Sequence, residues 1–323
     1  RYLTFTVDQS AVPAWVVSRE LTYRVKVGAV SSVDVSGNGR RVATTYDAAT
    51  GRVMFTSDAA SFSLVLYDST SDPATIGQIV VTTLRDNKRW AMSLTFDDGY
   101  LSAYQYGTSY LDKYGYTGGI AMNGRSLDNP LYADKYYMND AQMRDVIARG
   151  WGILNHSYSH YYVSQFPNTT AALNDVKNGR DRVVSGGSYT PIAFVAPYVD
   201  AAYYTLIRGN DNTTSSVYLY QGNGAASMAM QDLAVWPSNL LSVGRDGIDH
   251  IDPLVDQTHG YAASYPDRNF WLFLNTHEVD AGCDPVETTI DYLHEKYGGG
   301  GTNEVWVAPL DRVYSYWTTR KFA

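Results

Sequence analysis

The chain holds one cysteine in 323 residues, Cys283. It can form no intrachain disulfide and no metal site built from several thiolates, and its cysteine usage does not identify a compartment. No apolar run approaches the ~20 residues of a membrane span. No basic cluster is present, and the net charge is −8, which argues against a nucleic-acid partner. No internal repeat occurs, and the only low-complexity stretch is Gly298 to Gly301. The chain begins at Arg1 rather than at a methionine. It has the look of a mature or trimmed product, so a secreted, extracellular or cell-surface location is the expectation and any signal peptide lies outside the sequence. Nothing in the sequence speaks for or against a homo-oligomer.

Aromatic side chains are abundant. There are 28 Tyr and 7 Trp, within a composition that is 45% hydrophobic and 18% charged. That supports ample core, in one large domain or two ordinary ones. Tyrosine and tryptophan each offer an apolar face and a polar handle, suited to carbohydrate surfaces. A protein packing its own surface with tyrosine has the same composition, and both readings stand.

The first 72 or so residues alternate apolar and polar in short bursts, as in Tyr2 to Val7, Leu21 to Val27 and Ser61 to Tyr67, which is the period of half-buried strands. Asp47 to Gly51 lies between Arg41–Tyr46 and Arg52–Phe55 as a hairpin loop would. These features predict a small all-β, sandwich-like accessory domain over residues 1–85, for binding or packing. The polar stretch Ser69 to Pro73 and the charged stretch Arg85 to Arg89 precede a change of pattern. From residue 86 to 323 helical and strand patterns alternate. Helices are predicted over Leu101–Tyr114, Asn139–Arg149, Thr169–Val184, Ala201–Arg208, Asp252–Ala263, Pro285–Tyr297 and Leu310–Trp317. Strands are predicted near Trp90–Phe96, Thr117–Met122, Trp151–Asn155, Pro191–Val195, Ser216–Tyr220, Phe270–Asn275 and Glu304–Ala308. Repeated strand–helix units predict an α/β fold on a mostly parallel sheet, open or closed into a barrel.

Three predicted strand ends carry polar chemistry. Trp90–Phe96 runs into Asp97-Asp98-Gly99, where a turn at the glycine lets two neighbouring carboxylates converge. Alone, Asp-Asp-Gly is an ordinary surface turn. The second end leads to His156-Ser157-Tyr158-Ser159-His160, two histidines four apart, which face one way if the segment is helical. The third leads to Asn275-Thr276-His277, and a lone histidine there is as well explained by structure. Together they amount to two imidazoles and a carboxylate, the ligand set of a catalytic zinc with an open position. A second carboxylate remains to take a proton and a distant histidine to give one. The chemistry implied is metal-assisted hydrolysis of an amide or ester. His250, His259 and His294 have no matching partners and read as structural or surface residues.

On Thr95-Phe96-Asp97-Asp98-Gly99 and His156-Ser157-x-x-His160, the region from about Lys88 onward resembles the NodB-homology polysaccharide deacetylases, a carbohydrate esterase family. The resemblance implies a distorted (β/α) barrel and a divalent metal, usually zinc, held by Asp98, His156 and His160. It makes Asp97 the general base and His277 the general acid. It places Pro197-Tyr198 at the oxyanion and substrate, through the Tyr198 backbone N–H. The match is looser at Leu274-Asn275-Thr276-His277, which has one residue more than the family's Leu-x-His. Phe194-Val195-Ala196-Pro197-Tyr198 lacks the arginine that usually orients the catalytic aspartate, and Arg245 is a candidate to replace it from another loop. The Asp/Trp motif has weak counterparts at Trp236 and Arg245-Asp246. The implied partner is a polysaccharide or oligosaccharide and the implied reaction N-deacetylation of an amino-sugar polymer. The alternatives are O-acetyl esters such as acetylated xylan, or a carbohydrate-binding or assembly protein without turnover.

Overall fold

A computed structural model describes residues 1–129, 136–208, 217–221, 230–233, 241–247, 253–282 and 285–323. Cys283, His250, Trp236 and the Asn212-Thr213-Thr214 sequon lie outside the described residues, as do Ser216 and Asp252 at the starts of two predicted elements. The chain divides into two compact units, one of residues 1–88 with 312–323, the other of residues 89–311.

The first unit is antiparallel and strand-rich. One sheet contains β1 (Tyr2–Thr6), β7 (Ser61–Tyr67), β3 (Ser32–Gly37) and β4 (Arg40–Val42), in that order. The other contains β5 (Thr44–Asp47), β6 (Arg52–Ser57), β2 (Leu21–Lys26) and β8 (Ile79–Val81). The stretch predicted as one strand over Arg41–Tyr46 is divided at Ala43, where the chain leaves the first sheet for the second. The alternation does its expected work: in β7 Phe62, Leu64 and Leu66 are buried and their neighbours face outward. Phe5 and Phe62 from one sheet meet Tyr23 and Phe55 from the other, with Phe62 and Tyr23 ring centroids 5.0 Å apart. Burying such a ring contributes roughly 1.5–3 kcal/mol. In the C-terminal helix (Leu310–Phe322), the Tyr316 hydroxyl accepts from the Thr22 N–H at 3.1 Å and donates to the Thr82 carbonyl at 3.0 Å.

The second unit is a parallel barrel. Its strands are β9 (Trp90–Phe96), β10 (Gly119–Met122), β11 (Gly152–Asn155), β12 (Ala193–Val195), β13 (Val217–Gln221), β15 (Leu241–Gly247) and β16 (Phe270–Thr276). They pair in that order, and β16 pairs back onto β9, Phe270 opposite Trp90 through Thr276 opposite Phe96, so the ladder closes. Two further strands sit outside the ring: β14 (Met230–Asp232) antiparallel on β16, and β17 (Val305–Val307) parallel on β9. β9 is buried along its whole length, as a strand covered on both faces must be. Its two faces differ nonetheless. Met92, Leu94 and Phe96 join the apolar core with helix residues such as Ala103 and Leu111, while Ser93, Thr95 and then Asp97 alternate with them. The helix predicted over Leu101–Tyr114 contains a wide π-type turn, Ala103–Gly107, and continues to Asp112. The helix Asp140–Ala148 opens with a capping box between Asn139 and Gln142, which satisfies two otherwise orphaned N–H groups.

Candidate active site

Asp97, Asn123, His156, Pro197 and His277 each follow the C-terminal end of a barrel strand, the edge where sites of this architecture are built. Asp97 continues β9, and its N–H donates to the Thr276 carbonyl of β16 at 2.8 Å. The residue is 3% exposed. Asp98 and Gly99 both have left-handed backbone, φ 68° and 71°. This sharp turn separates the two carboxylates: Asp97 faces Arg245, and Asp98 faces the two histidines.

The partner of Asp97 is Arg245. Its Nη1 donates to Asp97 Oδ1 and its Nη2 to Asp97 Oδ2, each at 2.8 Å, and Nη1 also reaches Thr95 Oγ1 at 2.5 Å. The guanidinium is buried. The arginine absent before Pro197-Tyr198 therefore has a counterpart. Arg245 lies on strand β15 rather than on a loop. The strand's signal is the alternation of Leu241, Val243 and Arg245 with small residues. Burial pushes the Asp97 carboxyl up, but the adjoining Arg245 charge and hydrogen bonds outweigh it and hold the group below its ordinary value.

Asp98 Oδ1 lies 3.4 Å from His156 Nε2 and 3.1 Å from His160 Nε2, and the two Nε2 atoms are 3.1 Å apart. Among the described residues this is the one group of three such side chains whose donor atoms converge. His156 is buried, and its Nδ1 faces the Val195 carbonyl at 2.8 Å. That contact fixes the ring so that Nε2 points at Asp98. Burial would raise the Asp98 carboxyl, yet the hydrogen bond and charge of His156, with His160 and His277, bring it down to about 2. Burial and the charge of His156 push His160 down to about 4.

The segment His156–His160 is not helical. It is an irregular loop with left-handed backbone at Ser157 (φ 64°) and His160 (φ 56°), and this fold-back, not helical spacing, brings the rings together. The His160 N–H donates to Ser157 Oγ at 3.0 Å. Tyr198 is also left-handed, φ 53°. Its half-exposed ring stacks on Tyr162 at 4.3 Å and meets the His160 ring edge-on at 4.6 Å. Non-glycine residues in this region cost of order 1–3 kcal/mol each, and such strain gathers at functional sites. His277, directly after β16, is exposed.

Asp98, Tyr100, Tyr137, His160, Tyr198 and Glu278 line an open cleft of about 720 Å³. Tyr100 and Tyr137 stack at 5.0 Å, and Tyr162 and Tyr198 form a second stacked pair. The remaining described histidines stand apart: His259 pairs with Glu304, and His294 stacks on Tyr114. Asn168 of the Asn168-Thr169-Thr170 sequon caps a helix by accepting the Ala171 N–H at 2.9 Å.

The arrangement defines a closed parallel barrel with a His-His-Asp cluster and an arginine-paired aspartate on its C-terminal edge. Residues 85–212 match the polysaccharide deacetylase family model. Residues 85–212 thus carry a polysaccharide deacetylase domain of the NodB-homology type, as the motifs imply. Arg245 and His277 lie beyond the matched residues. No curated protein matches the chain. Among solved structures, it is similar to the peptidoglycan deacetylase PdaC from Bacillus subtilis, at 15% identity and a TM-score of 0.45, covering 72% of this chain and 93% of that one. It is also similar to a family 4 acetyl xylan esterase from Clostridium thermocellum, at 16% identity and TM-score 0.42, covering 70% and 90%. A third is a CE4 family pseudoenzyme from Bacillus anthracis, at 10% identity and TM-score 0.46, covering 71% and 66%. Among the described residues no helix is long and apolar enough to cross a membrane.

Proposed function

We propose that the protein is a secreted, metal-dependent hydrolase that removes N-acetyl groups from an amino-sugar polysaccharide. The observation that carries this reading is the division of labour between adjacent aspartates, Asp97 on Arg245 and Asp98 on the two histidines. Asp98, His156 and His160 suit a zinc-like ion. Two imidazole nitrogens 3.1 Å apart repel unless a cation or proton lies between them, and the carboxylate beside them supplies compensating charge. A bound ion of this kind polarises an acetyl carbonyl and acidifies water.

The other roles fall to the chain's own groups. Asp97 takes the proton from the attacking water, oriented by the two-point grip of Arg245. The Tyr198 N–H, at the turn after Pro197, donates to the oxygen on which charge develops. His277, exposed beyond β16, protonates the departing amine. The tyrosine pairs of the cleft stack against pyranose rings.

Replacing Asp97 with Asn tests the assignment. Zn²⁺ binding is expected to persist while acetate release from chitin oligomers falls to background, and substantial remaining turnover would refute Asp97 as base. The same machinery accommodates O-acetyl esters, and acetate release from acetylated xylan measured beside chitin oligomers separates the two substrates. Metal-dependent release from either eliminates a binding protein without turnover.

A further inference from the structure

Two of the three candidate ligands sit on an irregular loop with two left-handed residues, which cannot hold its shape through its own backbone ladder. We infer that Asp175, on the helix Thr169–Gly187, is the positioning residue that holds the His156–His160 loop in its metal-binding form, and that Gly179 on the same helix is kept bare so that the loop can seat against it. The inference rests on reading Asp98, His156 and His160 as a metal site.

Asp175 is 7% exposed and, among the described residues, takes part in no ion pair. Its carboxylate instead accepts from the Tyr158 N–H at 3.2 Å, from the Ser159 N–H at 3.2 Å and from Ser159 Oγ at 2.6 Å. Its backbone carbonyl accepts from the Tyr158 N–H as well, at 3.1 Å. A buried carboxylate without a cation is costly unless its lone pairs are filled, and here two adjacent residues between the two histidines, Tyr158 and Ser159, fill them. The loop and Asp175 are therefore each other's solution: displacing the loop strands the charge.

Gly179 supplies the second half of the seat. A Cβ there would fall 2.3 Å from the Ser157 carbonyl carbon and 2.7 Å from Asn155 Oδ1. Glycine inside a helix costs about 1 kcal/mol relative to alanine, so this position goes against helix propensity, and the close approach of Ser157 explains it. Asn155 ties the same junction, accepting from the Ser157 N–H at 3.1 Å and donating to the Val176 carbonyl at 2.9 Å. Ser157 in turn receives the His160 N–H, so Gly179 acts on His160 through the seat of Ser157, and Asp175 acts through its hold on Ser159, the residue before His160.

The test is calorimetric titration of the full, metal-free chain with Zn²⁺ alone, with melting of the metal-free proteins measured in parallel. Asp175→Asn keeps the volume but puts an amide where the loop needs an acceptor. Gly179→Ala keeps, and by propensity favours, the helix. Each is expected to weaken Zn²⁺ affinity about 10- to 100-fold, the usual cost of losing a ligand's outer support. Activity should recover when Zn²⁺ is raised to saturation. Asp181→Asn, on an exposed residue of the same helix paired with Lys177, is expected to match the wild type. Wild-type affinity in both Asp175→Asn and Gly179→Ala overturns the inference, whereas a wild-type chain that takes up no Zn²⁺ overturns the metal-site reading beneath it. A purely structural role would lower the metal-free melting temperature and leave affinity unchanged, which also overturns the inference. If Asp175→Asn does not fold, Gly179→Ala decides.

Discussion

Arg245 and Asp97, 148 residues apart in sequence, meet through two parallel N–H···O contacts of 2.8 Å each inside the barrel. Both groups are nearly inaccessible. The pair performs two tasks at once: it sets the direction of the Asp97 carboxylate, and it keeps that carboxylate ionised against burial that would protonate it.

Truncating Arg245 should expose both tasks. In Arg245→Ala the aspartate keeps its burial and loses its counter-charge, so its carboxyl rises. The acid limb of the pH–kcat/KM profile is expected to move to higher pH, along with a fall in the plateau. Removing one partner of a buried pair costs about 3–5 kcal/mol, so urea denaturation should show a loss of that order. Arg245→Lys retains charge but not the fork, and should restore the limb more than the plateau. An acid limb unmoved in both variants would show that Arg245 does not tune Asp97.

The same pair sets a direction for stability against pH. The folded carboxyl of Asp97 lies below its ordinary value near 3.8. The unfolded chain therefore binds its proton first as pH falls. The stabilisation is fully present above that ordinary value and is lost as pH drops through the folded one. Comparing wild type with an Asp97→Asn, Arg245→Met double variant should show a smaller slope of unfolding free energy below about pH 4 in the variant. Equal slopes would mean that the pair contributes nothing to acid sensitivity.

Metal removal offers an independent check on Asp98, His156 and His160. A ligand that binds only the folded state, present at about 100 times its Kd, adds about 2.7 kcal/mol of stability. Added Zn²⁺ is expected to raise the melting temperature of the wild type and to leave His156→Ala unmoved, and a chelator should abolish acetate release reversibly. A wild-type protein equally active with and without chelator would contradict metal dependence.

What could be read in advance follows from the range of the interactions. Asp97, Asp98, His156 and His160 occupy short local patterns at the ends of buried strands, so their types and spacing are visible in a few residues. The conformation joining the histidines is not visible there. Their i, i+4 spacing suggests a helix, whereas the loop is shaped by Asp175 and Gly179 on a helix that starts nine residues beyond His160. Arg245 is a plausible partner by charge alone, but its place depends on barrel closure between β15, β16 and β9. The division of Arg41–Tyr46 between two sheets is likewise decided by packing, since its alternation serves either sheet equally.

The tyrosine pairs should act on substrate binding more than on chemistry. Tyr162 stacks on Tyr198, which lines the cleft, and neither ring supplies a proton in the proposed reaction. An aromatic contact of this kind contributes about 0.5–1.5 kcal/mol. Tyr162→Ala is therefore expected to raise KM for a chitin oligomer roughly two- to tenfold with little change in kcat. A loss confined to kcat would instead assign the pair to holding His160.

His277 makes the sharpest separation between substrates. An amine leaves only if it is protonated, so a general acid is needed for amide cleavage, where such catalysis contributes roughly a hundred- to ten-thousandfold. An aryl acetate releases a phenolate that needs no proton. His277→Ala is therefore expected to lose kcat by that range on N-acetyl oligomers while hydrolysing 4-nitrophenyl acetate at close to the wild-type rate. Sugar O-acetyl esters, whose alkoxide leaving group also needs a proton, should fall with the amides. Equal losses on the aryl ester and the amide would show that His277 works through the site's structure or its metal rather than through the leaving group. Retained amide turnover would transfer the role of acid to another residue of the cleft.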